Sequence, residues 1–515
     1  MVSGSSQRPI YAVVDVGSKS IRLLIARRLS SSAFEVVDEE RFDARLGEGL
    51  VAGAISPEAF ERGLLAMRII AQVAAGYAPR ATIAVGTEVL RTASNAGALI
   101  SRIHAETGIS VRVISAQEEA HASYLGIINA TRLADGAIID IGGGSLEVIR
   151  VAGRRFTAAR SVPLGAIYST ERYLASDPPL PREVRALRKA VRRQINGQQE
   201  QEVPVETLWA TGGACRNIAR MVRLRRSYPL RRLHGFTFDR RELKAVLKEM
   251  LRQPAGERRH IAGLNSARAA TLPAAAIVLD EVMAVLDVET VLVSGQGLRE
   301  GLVWQQLRGQ RPLLPDVRAA SIAGLAAANG VDPGASAPEV RLASELFEAT
   351  VPLHGFGHAE LELLVSATRL SEIGMHVDFY NRDRHAEYLV HSGDLHGFSH
   401  REIVLLAAIV RYSSGGTVDL SSYAPVVYER DGRLVATLAA MLGVARAVAR
   451  RPGSPVVEAD LQMGKHLDLV LRSQVPLDAE LYALERPLRR LENALGIGID
   501  VAVEALPDRH LSELA

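Results

Sequence analysis

Two turns of nearly the same composition carry the first chemical signal in this chain. DVGSKS begins at Asp15 and DIGGGS at Asp140, and each follows a short apolar run. An apolar strand that ends in Asp-x-Gly leaves backbone N–H groups uncovered in the turn, and such amides form an anion-binding nest. Gly142, Gly143 and Gly144 put no Cβ in the way of a phosphate. Ser145 adds a hydroxyl, and Gly17, Ser18 and Ser20 repeat the arrangement in the earlier turn, where Lys19 adds a cation. Asp140 closes an apolar strand, so its ionised form is costly unless a cation binds it. Glu147 lies seven residues on, where the returning strand brings it toward Asp140. Two carboxylates, with phosphate oxygens and water, suit Mg²⁺. The competing reading is two plain hairpins, with Asp140 bonding its own loop and Glu147 an exposed strand charge; the matched pair of turns favours phosphate binding.

Ser115-Ala-Gln-Glu118 fits a capping box that opens a helix running to Ile128. This gives Glu118 a structural task and leaves Glu119, beside it, free to orient and deprotonate an attacking water. Arg91 follows Gly86-Thr87, and Arg216 follows Gly212-Gly213. Either arginine can pair with phosphate charge, or cap a helix or join a surface ion pair. Cys215 fails as a phosphatase nucleophile, because C-x₅-R needs an arginine where Met221 stands. No G-x-x-x-x-G-K-[ST] occurs, which excludes a P-loop nucleotidase.

The elements that must position these groups repeat. Strand, turn, strand and a third strand run from Tyr11 to Val37, and again from Ala137 to Val162. Asp15 and Asp140 stand 125 residues apart. Thr87 closes an apolar strand 72 residues after Asp15, and Thr211 closes one 71 residues after Asp140. Two landmarks in step indicate a duplicated lobe. Near Arg311 the proline-bearing RPLLPD reads as a linker. Amphipathic helical patterns follow, in SELFEATV, ELELLVSATRLSEIG and REIVLLAAIVRY. Short strands at Leu467–Leu471 and Gly498–Val503 come later. The expected domains are 1–127, 128–310, 311–415 and 416–515.

Composition sets the class. With 515 residues, 48% hydrophobic and 23% charged, the chain is globular and holds several domains. One cysteine excludes an intramolecular disulfide and a cysteine-rich zinc site. The start is polar, and the longest nearly apolar run, Leu434–Ala445, is too short to span a bilayer. The expectation is a soluble, cytoplasmic protein with neither membrane nor nucleic-acid partner. The formal charge is +3, and the basic residues are almost all arginine. Clusters at Arg182–Arg193 and Arg216–Arg232 are either solvated helix faces or repeated contacts for a polyanion.

DVGSKS, VGTEVLR, ISAQEEA, IDIGGGSLEVI, ATGGACRN and SGQGLREG, in this order, closely resemble the Ppx/GppA family of exopolyphosphatases and guanosine pentaphosphate phosphohydrolases. The resemblance covers residues 10 to 308, and continues more loosely into RLSEIGMH and HAEYLV. It implies an α/β architecture: a duplicated actin-like (ribonuclease-H-like) two-lobed fold, then a mainly helical HD-like domain and a small C-terminal α/β domain. It makes Glu119 the catalytic glutamate, Asp140 and Glu147 the Mg²⁺-associated acids, Gly17 to Ser20 and Gly142 to Ser145 the phosphate loops, and Arg91 a phosphate contact. The implied reaction is Mg²⁺-assisted, processive release of orthophosphate from inorganic polyphosphate by a homodimer. The alternatives are hydrolysis of pppGpp, with (p)ppGpp as substrate or regulator, a non-catalytic phosphate or alarmone sensor, and an actin-like sugar or acetate kinase. Two departures stand out. Lys19 replaces the family's usual asparagine, and Ser371-Glu372 replaces a metal-binding His-Asp pair, which argues against a second metal site.

Overall fold

The computed structural model describes residues 8–50, 53–196, 205–332, 334–449, 451 and 455–506. The polar start read above, residues 1–7, lies outside them, as do 507–515. The chain divides into two compact units, Met1–Val317 and Arg318–Ala515.

Unit one holds the repeat. Its first sheet has the order β3-β2-β1-β4-β5, from β1 (Ile10–Val16), β2 (Ile21–Arg28), β3 (Phe34–Phe42), β4 (Ala81–Gly86) and β5 (Val111–Val113). The second has the order β10-β11-β9-β6-β7-β8, from β6 (Gly136–Ile141), β7 (Leu146–Ala152), β8 (Arg155–Val162), β9 (Leu208–Thr211), β10 (Thr237–Asp239) and β11 (Thr290–Val293). In both, the first three strands are antiparallel neighbours and the next joins parallel to the first. The two sheets are thus one topology built twice, with β10 added at the edge of the second. This is the duplicated actin-like α/β fold.

The apolar residues of the central strands face helices on both sides. In the first lobe, α1 (Pro57–Gly76) and α3 (Ala96–Thr107) bury Met67, Ile70, Leu99 and Ile103 on one face, with the short α2 (Glu88–Thr92) between them. In the second lobe, α5 (Ala166–Tyr173), α6 (Pro181–Asn196), α7 (Gly212–Arg225), α8 (Arg240–Met250) and α10 (Leu272–Val285) share one core, and the one-turn α9 (Ala255–Arg258) precedes α10. The remaining helix of each repeat crosses over. α4 (Ala116–Ile128) ends the first repeat yet lays Ala120, Tyr124, Leu125 and Ile128 on the second sheet, against Ile138, Ile149 and Trp209. α11 (Leu298–Arg308) ends the second repeat yet packs back on β1 and β2, with Trp304 edge-on to Phe34 of β3 at 5.0 Å. The two helices meet where Gly126 and Gly301 stand: a Cβ on Gly301 would overlap the Ala122 carbonyl of α4, and one on Gly126 the carbonyl of Gly297, the N-cap of α11. The expected cut at 127/128 falls at the end of α4, whose apolar face belongs to the lobe after it.

Unit two is mainly helical: α12 (Val317–Ala328, its first residue in unit one), α13 (Ala337–Ala349), α14 (Val351–His354), α15 (His358–Leu370), α16 (Arg382–Ser392), α17 (His400–Tyr412), α18 (Asp431–Val448) and α19 (Asp478–Leu495). A three-stranded sheet of β12 (Val456–Met463), β13 (Leu467–Ser473) and β14 (Ile499–Ala505) completes it. One core runs from Ile322 to Ile499, across the expected boundary at 415/416. The reason is α18, buried along nearly its whole length and packed by α13, α15 and α17 as well as by α19. At the departure from the His-Asp pair, Glu372 accepts from Arg446, which also donates to Asp383 and Ser413. His354 stacks between Phe347 and Phe356 in the core. No helix among the described residues is long and apolar enough to cross a membrane.

Candidate active site

Each glycine turn is closed by the same bond: Gly17 N–H donates to Ser20 O at 3.2 Å, and Gly142 N–H to Ser145 O at 3.0 Å. Both are held by their carbonyls. Gly142, Gly143 and Gly144 oxygens accept from Ala166, Ile167 and Gly165 at the start of α5, at 3.0, 2.8 and 2.9 Å. Ser18 and Lys19 oxygens accept from Gly47 and Arg45 at 2.8 and 2.9 Å. Across a trans peptide, C=O and the following N–H point opposite ways. Tying down these carbonyls therefore turns the amides of Lys19, Ser20, Gly143, Gly144 and Ser145 away from the supporting backbone. The turns meet: a Cβ on Gly143 would stand 3.2 Å from Ser18 Cβ and 3.5 Å from Lys19 N. Glu88, from the start of α2, joins them, accepting from Ser18 Oγ at 2.7 Å while its carboxylate lies where a Cβ of Gly144 would be.

The cleft between the turns holds about 120 Å³ of free space. Its floor is made by strand pairs that the duplication places at matching positions. Asp15 faces Arg22 across β1 and β2, and Asp140 faces Glu147 across β6 and β7. Glu147 is buried and accepts from Ser145 Oγ and Ser161 Oγ at 2.5 and 2.9 Å. Asp140 accepts from Ser123 Oγ of α4 at 3.2 Å. Burial pushes the Glu147 carboxyl up to about 8, with repulsion from Glu119 and Asp140 adding to it; burial raises Asp140 as well.

The capping box at Ser115 and Glu118 forms as expected, and it sets Glu119 in the first turn of α4 at the wall of the cleft. The carboxyl is not unpartnered, contrary to expectation: Arg91 Nη1 donates to it at 2.6 Å and to Ile114 O at 3.0 Å. At 14% side-chain exposure a lone carboxylate there would be costly, and the arginine compensates. Burial still pushes Glu119 up to about 7, helped by Asp15 and Asp140 and opposed by Arg91. Arg91, expected at the phosphate, is not among the residues lining the cleft; it stands behind Glu119.

Other cations line the cleft in its place. Arg22, Arg216, Arg268, Arg299 and Lys19 surround the acids. Burial, then mutual repulsion, holds Arg268 down to about 10 and Lys19 down to about 8. Arg22 is also held down to about 10, by burial before its arginine neighbours and against the pull of Asp15. Crowded, desolvated guanidinium groups are stabilised by a polyanion. For Arg216, the spacing after Gly212-Gly213 fits a phosphate contact, a helix cap or a surface ion pair equally. Arg22 had a legible signal, since it is seven residues after Asp15 as Glu147 is after Asp140. Glu88, Arg299 and Glu300 lie inside quoted motifs, whereas Arg268 closes a single 3₁₀ turn, Ser266–Arg268, outside any of them.

Among the described residues no group of three or more His, Cys, Asp or Glu has the geometry of a metal site. The pair Asp140 and Glu147 nonetheless fits Mg²⁺. Two mutually repelling carboxylates in register, Glu147 buried and Asp140 half-buried, offer oxygens to a cation, and a magnesium ion typically takes one or two carboxylates and completes its shell from phosphate and water.

Two mirrored lobes clasping a cleft of loop amides, arginines and buried acids frame a protein that handles phosphate. The chain belongs to the Ppx/GppA phosphatase family, which it matches over residues 24–309, with the family's domain III matched over 317–481. It is similar in fold to the Aquifex aeolicus Ppx/GppA family member, at 24% identity over 57% of this chain and 96% of that one, with TM-score 0.51. It is similar also to an exopolyphosphatase from Cytophaga hutchinsonii, at 23% identity over 59% of this chain and 100% of that one, with TM-score 0.54.

Proposed function

We propose that this phosphatase is an exopolyphosphatase, which removes the terminal phosphate of inorganic polyphosphate with Mg²⁺. The observation that carries the reading is the convergence of both amide-lined turns, Glu119 and the Asp140–Glu147 pair on one cleft. In this reading the amides of the turns, with Lys19, Arg216 and Arg268, hold the non-bridging oxygens of the terminal phosphoryl group. Glu119, ionised and oriented by Arg91, accepts a proton from water as the water oxygen bonds to phosphorus. The bridging P–O bond breaks, its electron pair stays with the shortened chain, and orthophosphate leaves. Asp140 and Glu147 would hold Mg²⁺, which supplies positive charge against the phosphate oxygens.

The test is a time course of phosphate release from long-chain polyphosphate with Mg²⁺. Glu119→Gln should lower kcat by about 10²–10⁴-fold with the fold intact by circular dichroism. Absence of release at any chain length defeats the reading, and a higher kcat/KM for pppGpp than for polyphosphate replaces the substrate.

A further inference from the structure

The two arginine clusters read from sequence have different fates. On α6, Arg188 and Arg192 are committed to the buried carboxylates of Asp280 and Glu281 in α10. They tie one helix to another and have no charge to spare. On α7 the situation is reversed. That helix starts at the Gly212-Gly213 end of the cleft, and between Ala214 and Val222 every residue except Arg216 and Arg220 is buried. Arg223, also partly exposed, continues the same line. At about 100° per residue, positions 216, 220 and 223 fall within about 60° of one another, spaced about 6 and then about 4.5 Å along the axis.

None of these three arginines is paired with a carboxylate among the described residues. Each is steadied by main-chain oxygens: Arg216 by Ser294 and Gly295, Arg220 by Gly263 at 2.7 Å, and Arg223 by Leu230 at 3.3 Å. Arg223 Nε is buried with no acceptor. The charges of exposed Arg231 and of Arg220 bear on Arg223 as well. The neighbouring Arg225 and Arg226, by contrast, are neutralised by Glu249 and Glu242. A helix that exposes one file of unneutralised, pre-oriented guanidinium groups, and whose first member lines the cleft, fits a linear polyanion.

We infer that Arg216, Arg220 and Arg223, with Arg231 beyond, form a rail along which the tail of a polyphosphate chain lies while its terminal phosphate occupies the cleft. The inference rests on the polyphosphate reading of the cleft and adds the direction in which the substrate leaves it. Short substrates end at Arg216, so only long ones engage Arg220 and Arg223.

The experiment compares the full-length parent with an Arg220→Gln, Arg223→Gln double variant and its Arg220→Lys, Arg223→Lys counterpart. With tripolyphosphate, the glutamine variant should keep kcat and KM within about twofold of the parent. With long-chain polyphosphate its KM should rise about tenfold or more, the salt dependence of log KM should flatten by about two contacts, and lysine should restore most of both. Equal losses on the two substrates mean a structural role, and unchanged long-chain KM means no rail; either overturns the inference. Direct binding of polyphosphate to Glu119→Gln, with and without the glutamine pair, separates the two ideas. Tight binding that the pair weakens upholds the rail even where hydrolysis fails, whereas no binding sinks both. Displacement by a single-stranded oligonucleotide at the same charge concentration would assign the stripe to nucleic acid instead.

Discussion

A carboxylate that takes a proton from water near neutral pH works best with a pKa close to that pH. Glu119 is raised to about 7 by burial, so acid protonates it and removes the base. Lys19 is lowered to about 8, first by burial and then by Arg268, so alkali removes a positive charge from the phosphate cleft. The free-enzyme parameter kcat/KM on tripolyphosphate should therefore fall below about pH 7 and again above about pH 8. Lys19→Arg should keep the acid limb and move the alkaline one upward; comparing it with the parent cancels the substrate's own ionisation. An unchanged alkaline limb would take Lys19 out of phosphate capture. Much of the cleft's lining was legible from residue type and spacing, because the turns, Asp140, Glu147 and Glu119 are bound to local patterns. That Arg91 does not line the cleft while Arg268 does is not local in this way. Which cation faces the cleft depends on how α2 and the loop before α10 pack, and no spacing records that.

At the scale of elements, the capping box, the strand order and the repeat could be read because each follows from short-range periodicity. The exchange of α4 and α11 could not, since an amphipathic helix does not state which sheet it covers. Where they touch there is no room for a side chain, and Gly301→Ala would press a methyl on the Ala122 carbonyl. The expected cost is about 1–3 kcal/mol, read as a lowered midpoint in urea. Gly97→Ala, on the exposed face of α3 with nothing within 4 Å of the added methyl, should be neutral or slightly stabilising. Equal midpoints for the two variants would mean that the crossing tolerates separation of the helices.

For the molecule as a whole, every residue lining the cleft lies between Asp15 and Glu300, inside unit one. The Aquifex and Cytophaga proteins match almost completely with under two thirds of this chain. A fragment ending at Val317 is thus expected to fold and to keep turnover of tripolyphosphate within about tenfold of the full chain. A folded fragment with no turnover would show that unit two supplies something essential. The core of unit two runs across the expected boundary at 415/416 because α18, whose apolar run Leu434–Ala445 does not state what it packs against, serves as the shared centre of that unit.

The crossed helices also bear on ancestry. Each repeat ends in a helix that covers the other repeat's sheet, so a single copy would leave one sheet face bare and one greasy helix without a seat. Such a half-length forebear could bury both only by trading that helix with a twin, as domain-swapped dimers do. Within the fused pair, equivalent slots need not match: Arg22 and Glu147 each stand opposite the aspartate of their own turn, and they carry opposite charges.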